Sequence, residues 1–224
     1  AKLIKGLLKP TSGKITVFGL DTAKVSATKI IKVGYCFQNP DHQFSRYTVR
    51  EELEFGPKNL GLEKDEIKRR VDEILKVIDL QDYQDEYPFF LGMGQRRRLA
   101  VGSILTMQPK VLIVDEPTTG QDFVQSKEIM QLLDRLNKAG CTIIVITHNM
   151  RLVAEHAKRT IVMYEGKIIA DGPTPTIFSR RDILKHAHLS VPQITELVSA
   201  LTPYTNILTV DQFLAGLTPF PLSS

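Results

Sequence analysis

Two short apolar runs constrain the fold more than any other feature of this sequence. The runs Val111–Asp115 and Cys141–Thr147 are continuous rather than alternating, as expected for strands buried on both faces of a parallel sheet. A helical pattern covers Phe123–Lys138 between them, and Gly140 stands where a C-cap glycine belongs. Strand, helix and strand in this order predict a βαβ unit, and therefore an α/β fold with a mostly parallel sheet.

The remaining pattern predicts further elements around this unit. A helix end at Ala1–Leu8 is expected to stop at Pro10 and Gly13. The other predicted elements are strands at Lys14–Gly19 and Val33–Phe37, helices at Glu63–Leu80, Gln95–Met107 and Met150–His156, and a hairpin that turns at Glu165-Gly166. We predict one domain over residues 1–180, with a helical subdomain inserted at 40–108, and a C-terminal extension over 181–224.

Composition narrows the classes of function. The chain has 224 residues and a net charge of +4, with basic residues spread along it, which does not favour nucleic-acid binding. Its apolar runs are far shorter than the roughly 18 residues that a membrane-spanning helix needs. The first residues carry lysines and lack a small-residue cleavage site, so no signal peptide is predicted. We expect a cytosolic chain that can still dock on a membrane protein.

The first candidate site is the acid pair Asp115-Glu116 at the end of the run VLIVD. Open α/β sheets bind ligands at the carboxyl ends of their strands. One acid there can hold Mg²⁺ beside nucleotide phosphates, and the second can orient and polarise an attacking water. The alternative is a strand that ends in surface acids by chance, which is common.

The second candidate is a glycine loop, LGMGQ, in which Gly92 and Gly94 allow close approach of a ligand to the backbone. A helix predicted to start near Gln95 would point its free N–H groups and positive dipole end at this loop, which suits phosphate. Three arginines, 96–98, oppose that dipole, and a nearby anion would offset them. Alternatively, solvent screens the arginines and the glycines only make a turn.

Two polar residues follow other predicted strands. His148 can hydrogen-bond a γ-phosphate, and the amide of Gln38 can reach Mg²⁺ or the attacking water. Taken singly, each is better explained as a loop residue. The joint occurrence of Gln38, the glycine loop, the acid pair and His148 in this order favours one nucleotide site.

This order of motifs resembles the ABC-transporter ATPases, which are P-loop NTPases. The matching motifs are the Q-loop at Gln38, the signature loop, the Walker B acids, the D-loop TTGQD and the switch histidine. The stretch Phe37–Leu62 resembles the energy-coupling-factor importers, which take up vitamins or transition-metal ions. Gly92 and Met93 replace Ser and Gly of the usual signature LSGGQ, and Gln121 replaces the usual Leu of the D-loop. Together these changes resemble the second cassette of fused two-cassette importers.

The resemblance implies roles for the matching residues. Asp115 would support Mg²⁺, Glu116 would be the catalytic base, His148 would contact the γ-phosphate, and Gln38 would join the nucleotide site to the membrane partner. The residues that would close over ATP held by a second cassette are Leu91, Gly92, Met93, Gly94, Gln95 and Asp122. The implied cofactors are ATP and Mg²⁺. The implied partners are a second cassette (identical, paralogous or fused), a transmembrane coupling subunit and a substrate-binding membrane subunit, at the cytoplasmic face of the membrane.

The sequence also departs from the family. Gly92 replaces the usual serine of the signature loop, which removes a hydroxyl that would bind the γ-phosphate. The Walker A motif, G-x-x-x-x-G-K-[ST], does not occur in the chain, and in the family it lies just before Ala1. We therefore expect an N-terminal fragment is missing and that the chain, as given, binds ATP poorly. Two alternatives remain: a degenerate, non-hydrolysing cassette that supports assembly, and a soluble ABC protein such as a ribosome-associated factor.

Overall fold

The computed structural model describes residues 1–201 and 207–216 and divides the chain into two compact units after Ile146. The first unit contains α1 Lys2–Lys5, β1 Thr16–Val17, β2 Leu20–Asp21, β3 Val33–Cys36, α2 Val49–Asn59, α3 Lys64–Val77, α4 Met93–Leu105, β4 Val111–Asp115, α5 Phe123–Lys138 and β5 Thr142–Ile146. The second unit contains α6 Met150–His156, β6 Arg159–Tyr164, β7 Lys167–Pro173, α7 Thr174–Ser179, α8 Arg181–His186, α9 Gln193–Leu201 and α10 Val210–Gly216.

The centre of the first unit is a parallel sheet with the strand order β3-β4-β5. Its register aligns Tyr35 with Ile113 and Ile113 with Ile144. Leu112, Ile113 and Val114 on the middle strand are fully buried, because both faces of β4 are covered. The predicted parallel sheet and the helix at Phe123–Lys138 are confirmed.

The prediction for β5 was only half right. The strand is present, but its side chains alternate between half-buried and exposed, and Ile144 and Ile146 are each 37% exposed. These side chains are exposed because β5 is an edge strand of this three-stranded sheet and is covered by fewer side chains than the central strand. A continuous apolar run therefore did not distinguish a central strand from an edge strand.

Both faces of the sheet carry packed side chains. On one face, Ile30, Val33, Tyr35 and Ile113 form an apolar cluster, to which Ile4 of α1 adds. On the other face α4 packs closely against β3, where Gly34 leaves room for the side chain of Ile104. Any Cβ at position 34 would overlap that side chain, so glycine is required for this helix to approach the strand.

Three helices, α2 to α4, occupy the chain between the adjacent strands β3 and β4. Thr48 and Glu51 form a capping box that starts α2, and α3 buries Ile67, Val71 and Leu75 on one face. The helical character predicted for 40–108 is present. The predicted domain limits, 1–180 and 181–224, stay a prediction.

Several predicted boundaries were wrong. α1 ends at Gly6, whose φ of 75° provides a left-handed cap, rather than at Pro10. The strand expected over Lys14–Gly19 is limited to β1, Thr16–Val17. α4 begins at Met93, two residues before the predicted start at Gln95, because Gly92 already serves as its N-cap.

The second unit is built on the antiparallel hairpin β6–β7, as predicted. Glu165 and Gly166 form its two-residue turn, both with positive φ, which matches the twist of paired strands. Its core contains the fully buried Phe178 and Ile177, packed with Val162 and Leu184. Within residues 181–224, the helices are α8, α9 and α10 in the described part, and residues 202–206 and 217–224 lie outside it. Among the described helices, none has the length and apolar character needed to cross a membrane.

Candidate functional site

Two neighbouring parallel strands bring three of the predicted site residues to one edge of the sheet. Cys36 of β3 pairs with Val114 of β4, so the residues that follow them leave the sheet side by side. Asp115 and Glu116 come directly after Val114, and the exposed Gln38 comes two residues after Cys36. The amide of Glu116 donates to the carbonyl of Ile146 at the end of β5, 2.8 Å away. The carboxyl ends of β3 and β4 are therefore followed by the side-chain carboxylates of Asp115 and Glu116 and the side-chain amide of Gln38.

A tyrosine orients the first carboxylate. The hydroxyl of Tyr35 donates to Oδ2 of Asp115 at 2.7 Å, and the Tyr35 ring is held edge-on by Phe37. Burial, together with the Asp115 carboxylate, raises the pKa of Tyr35, so the phenol remains a donor. Sequence reasoning missed Tyr35 because the two residues are 80 positions apart; the only available signal was a hydroxyl on the strand next to VLIVD.

We expect Tyr35→Phe to lower the free energy of unfolding by about 1.5–3 kcal/mol, the usual value of a hydrogen bond to a charged group. The ring packing is retained, so the change isolates the hydroxyl. Urea denaturation measures it, with Tyr83→Phe as the control because Tyr83 is 42% exposed. Equal stability of the two variants would mean that the bond contributes nothing.

The second carboxylate belongs to a residue with an unusual backbone. Glu116 has a φ of 46°, in the left-handed region that residues other than glycine rarely adopt. Its Oε2 accepts a long hydrogen bond of 3.4 Å from the hydroxyl of Thr119. Such conformations cost about 1–3 kcal/mol and persist where the surroundings impose them, frequently at active sites. Five other non-glycine residues of the described chain also have positive φ, so the conformation of Glu116 describes its backbone and does not by itself assign a function.

The glycine loop forms the start of α4. Gly92 is the N-cap, and its N–H donates to Oε1 of Gln95 at 2.9 Å, so Gln95 caps its own helix. Leu91 is buried and anchors the loop, whereas Gly92 and Met93 are exposed. The exposed turn leaves backbone N–H groups available at the helix N-terminus.

The three arginines have partners within the protein. Arg96 and Arg98 pair with carboxylates and therefore do not require a bound anion, and an anion at this loop stays a prediction. Arg96 contacts both oxygens of Asp41 at 3.0 Å, and Arg98 contacts Glu128 at 2.8 Å. Arg97 is buried and donates to backbone carbonyls of the Gln38 loop. The sequence did not show these partners because they lie between 20 and 60 positions away.

The D-loop lies beside the glycine loop. Oδ1 of Asp122 accepts from the N–H of Gln125 at 2.8 Å and thereby caps α5. A Cβ at Gly94 would lie 3.1 Å from Cδ of Gln125, so the N-termini of α4 and α5 are neighbours. Gln121 carries a further feature: within the described residues, both polar atoms of its amide are buried and have no hydrogen-bond partner.

Gln121→Leu is expected to stabilise the chain by about 1–3 kcal/mol, because it removes an unpaired buried amide at similar volume. Urea denaturation of the two proteins measures the difference. Gln125→Leu is a suitable comparison on the same segment. A decrease in stability for Gln121→Leu would show that the amide has a partner in solution.

His148 belongs to the second unit, where it is exposed and precedes α6. The neighbouring Asn149 caps that helix through its side chain, 3.3 Å from the N–H of Leu152. The predicted convergence of His148 with Gln38, Asp115 and Glu116 stays a prediction.

The carboxylate and amide oxygens that follow β3 and β4 are of the kinds that Mg²⁺ prefers as ligands. Over residues 1–201 and 207–216, no group of three or more His, Cys, Asp or Glu side chains is arranged to hold a metal ion. Mg²⁺ usually takes one or two protein carboxylates and completes its shell with water and phosphate oxygens. Asp115, with one oxygen fixed by Tyr35, and the amide oxygen of Gln38 suit that mode of binding.

Comparison with known proteins decides the family. Residues 1–119 match the family model described as ABC transporter. The chain belongs to the ABC transporter family. Its fold is accordingly the P-loop NTPase fold of ABC ATPases, as the sequence predicted.

Individual members of the family extend this result. The chain is 42% identical over 205 residues to the energy-coupling factor transporter ATP-binding protein EcfA of Methanocaldococcus jannaschii, covering 90% of this chain and 74% of that protein. Longer ABC transporter ATP-binding proteins, from Caldanaerobacter subterraneus and two Methanosarcina species, match at 43–46% identity, and the chain spans only 31–36% of their length.

Solved ABC structures have the same fold. The structure of cbiO1 from Clostridium perfringens, described as part of the ABC transporter complex cbiONQ, superposes with a TM-score of 0.74 at 35% identity and covers 88% of this chain and 80% of its own. A dimeric ATP-binding cassette in a post-hydrolysis state, bound to ADP and Pi, gives a TM-score of 0.68 at 27% identity, covering 77% and 78% of the two chains.

Proposed function

We propose that this chain is the ATP-binding and ATP-hydrolysing part of an energy-coupling-factor-type ABC importer for a vitamin or a metal ion. The observation that carries the proposal is the sheet edge where Gln38, Asp115 and Glu116 follow adjacent parallel strands. Similarity to EcfA and to cbiO1 supports this type of transporter.

In the proposed reaction, Glu116 takes a proton from a water molecule and orients it for attack on the γ-phosphate of ATP. Asp115 and Gln38 would hold Mg²⁺, which neutralises charge on the phosphates when bound. Tyr35 fixes the Asp115 carboxylate by its hydrogen bond. His148 would hydrogen-bond the γ-phosphate and register its loss after cleavage.

The proposed active unit contains two cassettes. The glycine loop, residues Leu91–Gln95, in which Gly92 and Met93 are exposed, and Asp122 at the start of the neighbouring α5 would close over ATP held by the second cassette. The dimeric state of the structurally similar cassette bound to ADP and Pi supports this arrangement. The second cassette is a copy of this chain, a paralogue or a fused neighbour.

The proposed location is the cytoplasmic face of the membrane, on a transmembrane coupling subunit that works with a substrate-binding subunit. The description of cbiO1 as part of a transporter complex supports such partners. The movement that closes the two cassettes would be transmitted to the membrane subunits by the Gln38 loop and helices α2–α4.

One observation favours a second function, a non-hydrolysing cassette that supports assembly. Gly92 offers no hydroxyl to a γ-phosphate, and Gln95 is engaged in capping α4. Because both acids, Asp115 and Glu116, are present, we propose ATP hydrolysis rather than assembly as the function.

The intact protein, with any residues that flank this chain in its gene, is the material for the test. Magnesium-dependent release of phosphate from ATP and co-purification with membranes are expected. Nucleotide binding without phosphate release would favour the assembly function. Co-purification with ribosomes rather than membranes would instead indicate a soluble ABC protein and contradict the transport proposal.

A further inference from the structure

Arg97 is the most unusual buried residue of the first unit. It lies on the second turn of α4 and is 2% exposed, which is rare for a guanidinium. Its Nη1 donates to the carbonyls of Phe37, at 3.2 Å, and Gln38, at 2.6 Å. The partners are neutral carbonyls rather than a carboxylate, and Nε has none among the described residues. A cation is costly to bury in this way, so its contacts with the Gln38 loop call for a functional explanation.

Two more side chains fasten the same loop to the same helix. Arg96 holds both oxygens of Asp41 at 3.0 Å. From the loop side, Nε2 of Gln43 donates to the carbonyl of Ala100 at 2.7 Å and to the hydroxyl of Ser103 at 2.8 Å. The segment from Phe37 to Gln43 is therefore attached to α4 along about two helical turns. Loop and helix are expected to move as one body.

The helix that carries these contacts also carries the glycine loop. Gly92 is the N-cap of α4, and Arg97 lies five residues further along the same helix. At 1.5 Å per residue, the two positions are separated by roughly 7–8 Å along a rigid element. A shift of the glycine loop is thus transmitted by Arg97 to the carbonyl of Gln38, and with it to the placement of the Gln38 side chain.

We propose that Arg97 is a positioning residue that couples the glycine loop to Gln38, so that closure at Leu91–Gln95 places Gln38 at the Asp115-Glu116 edge. The inference deepens the proposed function and depends on it for the reaction that Gln38 serves. The guanidinium suits this role because it is planar and permanently charged, with donors in fixed directions, whereas a lysine offers a mobile point charge.

The test compares Arg97→Met and Arg97→Lys with wild type and with Arg98→Met. Arg98 is a suitable control because it lies on the same helix but contacts Ile78 and Glu128 instead of the Gln38 loop. Hydrogen exchange of residues 37–41, measured without nucleotide, reports the attachment directly. Steady-state hydrolysis by the intact protein then separates kcat from KM for ATP.

In Arg97→Met we expect exchange at residues 37–41 to speed up roughly tenfold or more, because a charged hydrogen bond is lost. We expect kcat to fall roughly tenfold, with KM changed less than threefold, since Gln38 acts after ATP has bound. Arg97→Lys should recover part of kcat. Asp41→Asn removes the charge that pairs with Arg96 and keeps the hydrogen bonds of Arg97 to the Gln38 loop. It should give smaller changes in the same direction, and it replaces Arg97→Met if that variant does not fold.

The outcomes separate this inference from the proposed function. If hydrogen exchange at residues 37–41 is unchanged in Arg97→Met, or is accelerated equally in Arg98→Met, Arg97 does not hold the Gln38 loop on α4. Faster exchange with unchanged kcat overturns the coupling. Absence of hydrolysis in the wild-type intact protein contradicts the proposed function, and exchange at 37–41 still decides whether Arg97 holds the loop.

Discussion

Replacing Glu116 with glutamine in the intact protein is expected to lower kcat for ATP hydrolysis by about 10²–10⁴-fold, the usual contribution of a general base. Glutamine keeps the size of the side chain but cannot accept the proton of the attacking water. ATP should still bind, because the carboxylate is proposed to act on the water rather than to hold the nucleotide. The variant should therefore retain uncleaved ATP, which single-turnover assays and chromatography of the bound nucleotide can measure.

Glu165→Gln is a closely matched control for this experiment. Glu165 has a φ of 47°, against 46° for Glu116, and lies in the hairpin turn of the second unit. Loss of a charge at a left-handed glutamate is thus common to both variants, and only Glu116 lies at the sheet edge. Wild-type hydrolysis by Glu116→Gln would remove the catalytic assignment of Glu116, because the reaction would then proceed without that carboxylate.

Phe178→Ala is expected to lower the free energy of unfolding of the second unit by about 3–5 kcal/mol. Phe178 is fully buried among Val162, Ala170, Ile177 and Leu184, so truncation leaves a cavity in addition to losing apolar contact. Urea denaturation, together with hydrogen exchange of the β6–β7 strands, measures the loss.

Phe90→Ala is the control, since Phe90 is 80% exposed and its truncation should change stability by no more than about 0.5 kcal/mol. A loss below 1 kcal/mol for Phe178→Ala would show that the hairpin and α7 do not depend on this core.

The sequence predicted the parallel sheet correctly because β4 is long enough, apolar enough and buried enough to leave a continuous signal. It also placed Gln38, Asp115 and Glu116 at one edge, since consecutive parallel strands end on the same side. It predicted the strand β5 but not its exposure, because apolar composition reports the residue types and not the number of neighbouring strands.

The side-chain network around the site could not be predicted. Tyr35 and Asp115 are 80 positions apart, and Arg97 meets the carbonyls of Phe37 and Gln38 across about 60 positions. Local patterns contain no information about such contacts, so for three arginines in a row the sequence left open a nearby anion or screening by solvent. The unpaired amide of Gln121 was likewise visible only after its surroundings were known.

The left-handed backbone of Glu116 has a consequence for the stability of this chain. A left-handed conformation immediately before Pro117 is disfavoured for any residue with a Cβ, and glycine would relieve it. A chain optimised for resistance to heat alone would lose the glutamate at this position. Under the proposed function, a glycine at this position would relax the backbone but remove the base, so substitutions made to raise thermal stability should leave Glu116 unchanged.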